Sequence, residues 1–82
     1  MNTMASQLLL PQPQAPKPGS QCKTLLEAYQ RGEKLTVAEA LSRYGIYALS
    51  QRNGDLRRLG HPILGQMVEV SSGKHIKQYW ME

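Results

Sequence analysis

The residues with usable chemistry in this sequence are cations and short polar side chains, and they fall close together. Arg43, Arg52, Arg57 and Arg58 occupy one stretch, Tyr47, Ser50 and Gln51 sit among them, and Lys74 and Lys77 follow downstream. Groups of this kind neutralise phosphates and hydrogen-bond to polar edges; they do not break covalent bonds. His61 and His75 stand without paired carboxylates, a nucleophile motif or a phosphate loop. Cys22 is the single cysteine, and no group of Cys and His has metal-ligand spacing. We therefore expect no enzyme activity, no metal and no cofactor.

Such a surface needs rigid elements to hold it. Ser20 follows Pro18-Gly19 and suits an N-cap. Cys22, Leu25, Leu26 and Tyr29 then recur at helical spacing, and Gly32 ends that helix. A short connector at Glu33-Lys34-Leu35 leads to Thr36-Val37-Ala38-Glu39, which fits a capping box. Val37, Ala40 and Leu41 form the apolar stripe of the second helix, and Tyr44-Gly45 breaks it. The third helix is expected over residues 47–59, with Leu49, Leu56 and Leu59 facing the core. Its outward face holds Tyr47, Gln51, Gly54 and Arg58, flanked by Ser50 and Asp55, while Asn53 falls inward. Asn53-Gly54 also reads as a hairpin turn, but the helical spacing around it and the stop at Gly60 favour a helix. After Pro62 the pattern becomes strand-like through Ile63, Met67, Val68 and Val70. Ser71-Ser72-Gly73-Lys74 turns the chain, and residues 75–80 form the second strand of a hairpin.

The sequence has 82 residues, one small domain's worth. Residues 1–19 carry Pro11, Pro13, Pro16 and Pro18 with Gln between them, and read as a flexible or polyproline-like tail. Leu8-Leu9-Leu10 is the tail's only apolar run, far shorter than the ~20 residues of a membrane span. No secretory signal is expected either, because the basic leader is missing. The run is either part of an unstructured leader or a docking point for a partner or second subunit. Residues 20–82 form the folded domain. A domain of that size buries only about 60% of its unfolded surface, and no internal disulfide supports it, so a dimer is one expected source of stability. Cys22 lies in the apolar face of the first helix and reads as a small core residue, in keeping with a reducing cytoplasm. The formal charge of +4 favours an acidic partner without naming it.

Three helices, the second and third joined by a tight turn, then a two-stranded hairpin, make a mainly α fold of the winged helix-turn-helix type. The sequence resembles the small winged helix-turn-helix proteins of bacteriophages and prophages. The resemblance rests on Leu35-Thr36, Glu39-Ala40-Leu41, Tyr44-Gly45, Leu49, Arg52, Asp55-Leu56-Arg57-Arg58 and Gly60-His61-Pro62-Ile63. It covers residues 20–79 and departs at Asn53, where the family usually has an aliphatic residue.

That resemblance implies a DNA-binding role, as a transcriptional regulator or an accessory factor in replication or recombination. The chemistry can then be assigned to residues. Tyr47, Ser50 and Gln51, at the start of the third helix, are the candidates for base contacts. Arg43, Arg52, Arg58, Lys74 and Lys77 are the candidates for phosphate contacts. Arg52 is equally open to a structural role at the edge of the core. Arg57 is expected to pair with Asp55 or Glu69, and His61 to cap the third helix. Tyr79 and Trp80 read as core or hairpin packing rather than base-stacking platforms, since a nucleic-acid sheet would show several aromatics on one strand face and the chain has no Phe at all. The expected partner is double-stranded DNA in the bacterial cytoplasm, at the nucleoid, with a homodimer also compatible. The alternative is a module that reuses the same fold to bind and modulate a host protein.

Overall fold

The computed structural model describes residues 13–82, so the run at Leu8–Leu10 lies outside the described residues. Three helices come first: α1 (Gln21–Gln30), α2 (Val37–Tyr44) and α3 (Leu49–Arg58). Two antiparallel strands follow, β1 (Ile63–Glu69) and β2 (His75–Met81).

Local chemistry accounts for each boundary. The Ser20 hydroxyl accepts from the Lys23 amide and starts α1. At its far end the Glu33 amide reaches back to the Ala28 carbonyl and the Gly32 amide to Tyr29, a Schellman closure. The capping box at α2 is complete: Glu39 N–H donates to the Thr36 hydroxyl at 3.2 Å, and Thr36 N–H donates to the Glu39 carboxylate at 3.0 Å. Gly45 ends α2 in the left-handed region, at φ 67°, where a Cβ would be strained. The α3 terminus repeats the Schellman pattern, with the His61 amide donating to the Leu56 carbonyl.

α3 begins at Leu49, two residues later than the spacing predicts. Ile46 is pinned in the core at 0% exposure, and Tyr47-Ala48 is the length of chain needed to swing from that anchor into the next helix axis. Ala48, the N-cap, has no side-chain oxygen with which to extend the helix backwards. The Asn53-Gly54 pair is helical, not a hairpin turn.

The core lies where the three helices meet. Leu25, Ala28 and Tyr29 from α1, Ala40 from α2, and Leu49 and Leu56 from α3 close around Ile46. Leu35 joins them from the connector and pairs with Tyr79, each amide donating to the other's carbonyl at 2.8 Å. That single bridge ties β2 to the helices and buries the Tyr79 ring. Asn53 enters this apolar centre fully buried. Its Oδ1 accepts from the Tyr29 hydroxyl at 2.8 Å, while its Nδ2 has no acceptor among the described residues. A polar residue among apolar neighbours is thus matched by a tyrosine hydroxyl across the core.

Residues 13–17 lie against the C-terminal end of α3. The Gln14 amide donates to the Leu59 carbonyl at 2.7 Å, and Pro16 is buried. The Gln14 carbonyl meets His61 Nε2 at 2.7 Å. The His61 ring therefore holds the incoming chain and does not cap α3; its backbone amide performs that closure instead.

Candidate nucleic-acid interface

The outer side of α3 is the surface on which most of the predicted residues meet. Ser50 and Gln51 are exposed on its first turn, Gly54 is half-exposed one turn on, and the Arg58 side chain is 73% exposed beyond it. Tyr47 stands just before the helix, 78% exposed, in the turn and not on the wheel. No side chain caps the α3 N-terminus. The first-turn amides therefore face outward together with the positive end of the helix dipole.

The electrostatics of this face are more balanced than its arginines suggest. Asp55 sits between Arg52 and Arg58 at three-residue spacing and pairs with both, meeting Arg52 Nε at 3.1 Å. Arg52 is held there, only 28% exposed along its side chain. This counter-ion lies outside the contact set expected from the sequence, although its spacing, three residues from each arginine, is visible there. Asp55 also accepts from the Cys22 thiol at 3.7 Å. Burial, with Asp55 next, pushes that thiol up and keeps it in its unreactive protonated form.

Arg43 lies at the end of α2, away from the α3 face, and is shared between Glu39 at 3.5 Å and Glu33 at 3.6 Å. The same cluster includes Tyr44, whose hydroxyl accepts from Arg31 and donates to Glu33 at 2.6 Å. That donation holds the Glu33 carboxyl below its ordinary range, so the cluster stays charged. Arg43 thus has two carboxylates to leave before it could meet a phosphate.

Lys74 lies in the hairpin turn and Lys77 on β2, both exposed. The turn is closed by the Val70 amide donating to the Lys74 carbonyl at 2.9 Å. Lys77 Nζ stands 5.8 Å from the Tyr79 ring centroid, its stem lying across Gly65. The hairpin thus carries cations of its own, apart from those on α3. Arg57 departs from expectation. It pairs with neither Asp55 nor Glu69; its Nε and Nη2 both donate to the Ile63 carbonyl, at 3.1 and 2.9 Å. Proline at 62 puts β1 directly after the helix stop, and the nearest strong acceptor is the first strand carbonyl. Arg57 therefore bolts the hairpin to α3.

Tyr79 is core, and Trp80 is half-buried with Lys34 Nζ 5.0 Å from its ring centroid. Neither offers a free stacking face on the α3 side. Among the described residues no group of His, Cys, Asp and Glu could hold a metal, and no helix is long and apolar enough to cross a membrane.

No match was found to a curated protein or to a solved structure. Residues 20–81, from the N-cap of α1 to the last residue of β2, match the model of the winged helix-turn-helix domain. With three helices, a tight turn before the third and a hairpin pinned beside it, the chain belongs to the winged helix-turn-helix family.

Proposed function

We propose that the protein binds duplex DNA, laying the start of α3 in the major groove and the hairpin along the adjoining backbone. The observation that carries this reading is the free outer side of α3. Its apolar side is spent in the core, and its polar side, with an uncapped N-terminus, faces solvent. Tyr47, Ser50 and Gln51 would meet base edges, Gln51 through the two hydrogen bonds an adenine offers. Arg58, Lys74 and Lys77 would meet phosphates, with Arg52 and Arg43 recruited only by giving up their carboxylate partners. The resemblance to phage and prophage proteins extends this to a regulator or a replication or recombination accessory factor, working at the nucleoid of a bacterial cell.

The test is a titration of random and genomic duplex fragments at two salt concentrations. Affinity should fall steeply with salt. Arg58→Gln and Lys74→Gln should weaken all sequences alike, whereas Gln51→Ala should change preference among them. Absence of duplex binding at low salt would sink the reading.

A second reading has one specific observation behind it. Val37 and Leu41 are 50% and 43% exposed on α2, and Val37 borders an apolar groove of about 400 Å³ with Thr36, Ala38, Ile76 and Lys77. That surface suits a host protein, captured in a complex that survives nuclease and high salt.

A further inference from the structure

The two strands differ in how their outer edges are treated. On β2 the outward backbone groups of Tyr79 are taken by Leu35, and the rest of that edge is flanked by Lys74, His75 and Lys77. Among the described residues β1 has no such cover. Val70 N–H bonds to the Lys74 carbonyl, so in this register the even-numbered residues of β1 face β2 and the odd-numbered ones face outward. The Ile63 carbonyl is held by Arg57, but Gly65, Met67 and Glu69 have no backbone partner on that side among the described residues. Edge strands are normally blunted by lysine, proline or a bulge. β1 reads Ile-Leu-Gly-Gln-Met-Val-Glu, with none of the three, and its Leu64 and Met67 are 38% and 54% exposed.

We propose that β1 is a self-association edge, which takes β1 of a second copy of this chain antiparallel and makes one four-stranded sheet. The odd-numbered residues must face one another, and a two-fold axis at Met67 satisfies this without disturbing Ile63. Met67 then meets Met67 of the second copy, Leu64 meets Val70, and Glu69 meets Gly65. The last pairing brings charge complementarity. The Lys77 stem crosses Gly65, its Cε only 2.9 Å from where a Cβ would stand. Glu69 of the second copy therefore arrives beside the Lys77 ammonium, and the symmetry makes the ion pair twice. The contact is a short strand edge, well below the area of a permanent dimer, so the association is weak and reversible. Lys74 and the α3 cations stay outside it.

Sedimentation equilibrium of the full chain without DNA tests this independently of the DNA reading. From about ten micromolar to about one millimolar the mass should rise from monomer towards dimer, as a contact of this size requires. Met67→Lys sets two like charges on the axis and should hold the chain monomeric throughout. Glu69→Lys should weaken dimerisation at least about tenfold, the size of losing a paired charge at an interface, and adding Lys77→Glu to it should restore the dimer. Circular dichroism confirms that each variant is folded. A wild-type chain that stays monomeric, a Met67→Lys chain that still dimerises, or a charge swap that fails to restore association would each overturn the proposal.

Discussion

Tyr29 and Asn53 should behave as one unit. Tyr29 is 1% exposed and Asn53 0%, and their single hydrogen bond spans α1 and α3 at 2.8 Å. Tyr29→Phe removes the donor and leaves a buried amide with no partner among the described residues, so stability should fall by about 1–3 kcal/mol. Asn53→Leu strands the Tyr29 hydroxyl instead. It also removes an amide nitrogen that already lacks an acceptor and puts a better helix former into α3. Its cost should be smaller, about 1 kcal/mol. The double variant removes both polar groups together and should return to within about 1 kcal/mol of the parent, or exceed it. Urea denaturation followed by circular dichroism measures all four proteins, and Trp80, the single tryptophan, gives a second probe. For a domain of this size each kcal/mol moves the melting temperature by about 4–8 °C. Strictly additive losses in the cycle would refute the claim that the bond, and not the bulk of either side chain, is what the core requires.

Asp55→Asn should release Arg52 and Arg58 at a stability cost of no more than about 1 kcal/mol, because the pairs are partly exposed. Duplex affinity should rise, with a salt dependence steeper by about one or two phosphates; an unchanged salt slope counts against the two arginines as phosphate ligands. Thr36→Val removes the hydroxyl side of the capping box and should cost about 1 kcal/mol in urea denaturation. Burial, opposed only in part by the Asn53 bond, raises the Tyr29 phenol above its ordinary value of 10.0. The folded state therefore disfavours the phenolate. This contribution is fully present below pH 10.0 and is lost as pH rises towards the folded value, and Tyr29→Phe should flatten that alkaline decline.

The helices were legible because their signals are local. The Thr36 and Glu39 box, the Gly45 break and the Gly60 stop each act within a few residues, and each appears where its chemistry puts it. The start of α3 was not, because Ile46 is drawn into a core assembled from all three helices, the connector and both strands, and no local residue announces that pull. The partners of Arg57 and His61 escape the sequence for the same reason. Their acceptors, the Ile63 carbonyl and the Gln14 carbonyl, are backbone groups whose positions follow from tertiary packing. Asn53 shows the opposite case: its inward position could be read from helical spacing, but the hydroxyl that satisfies it comes from α1.

The seat of Gln14 also fixes where Pro13 stands on the molecule. Pro13 rests beside Gly60, at the far end of α3 from Ser50 and Gln51, and ten helical residues put about 15 Å between the two ends. A fluorophore carried on Pro13→Cys would sit at the rear of the rod, a helix length from Ser50 and Gln51. Labelling there leaves the proposed contact surface untouched.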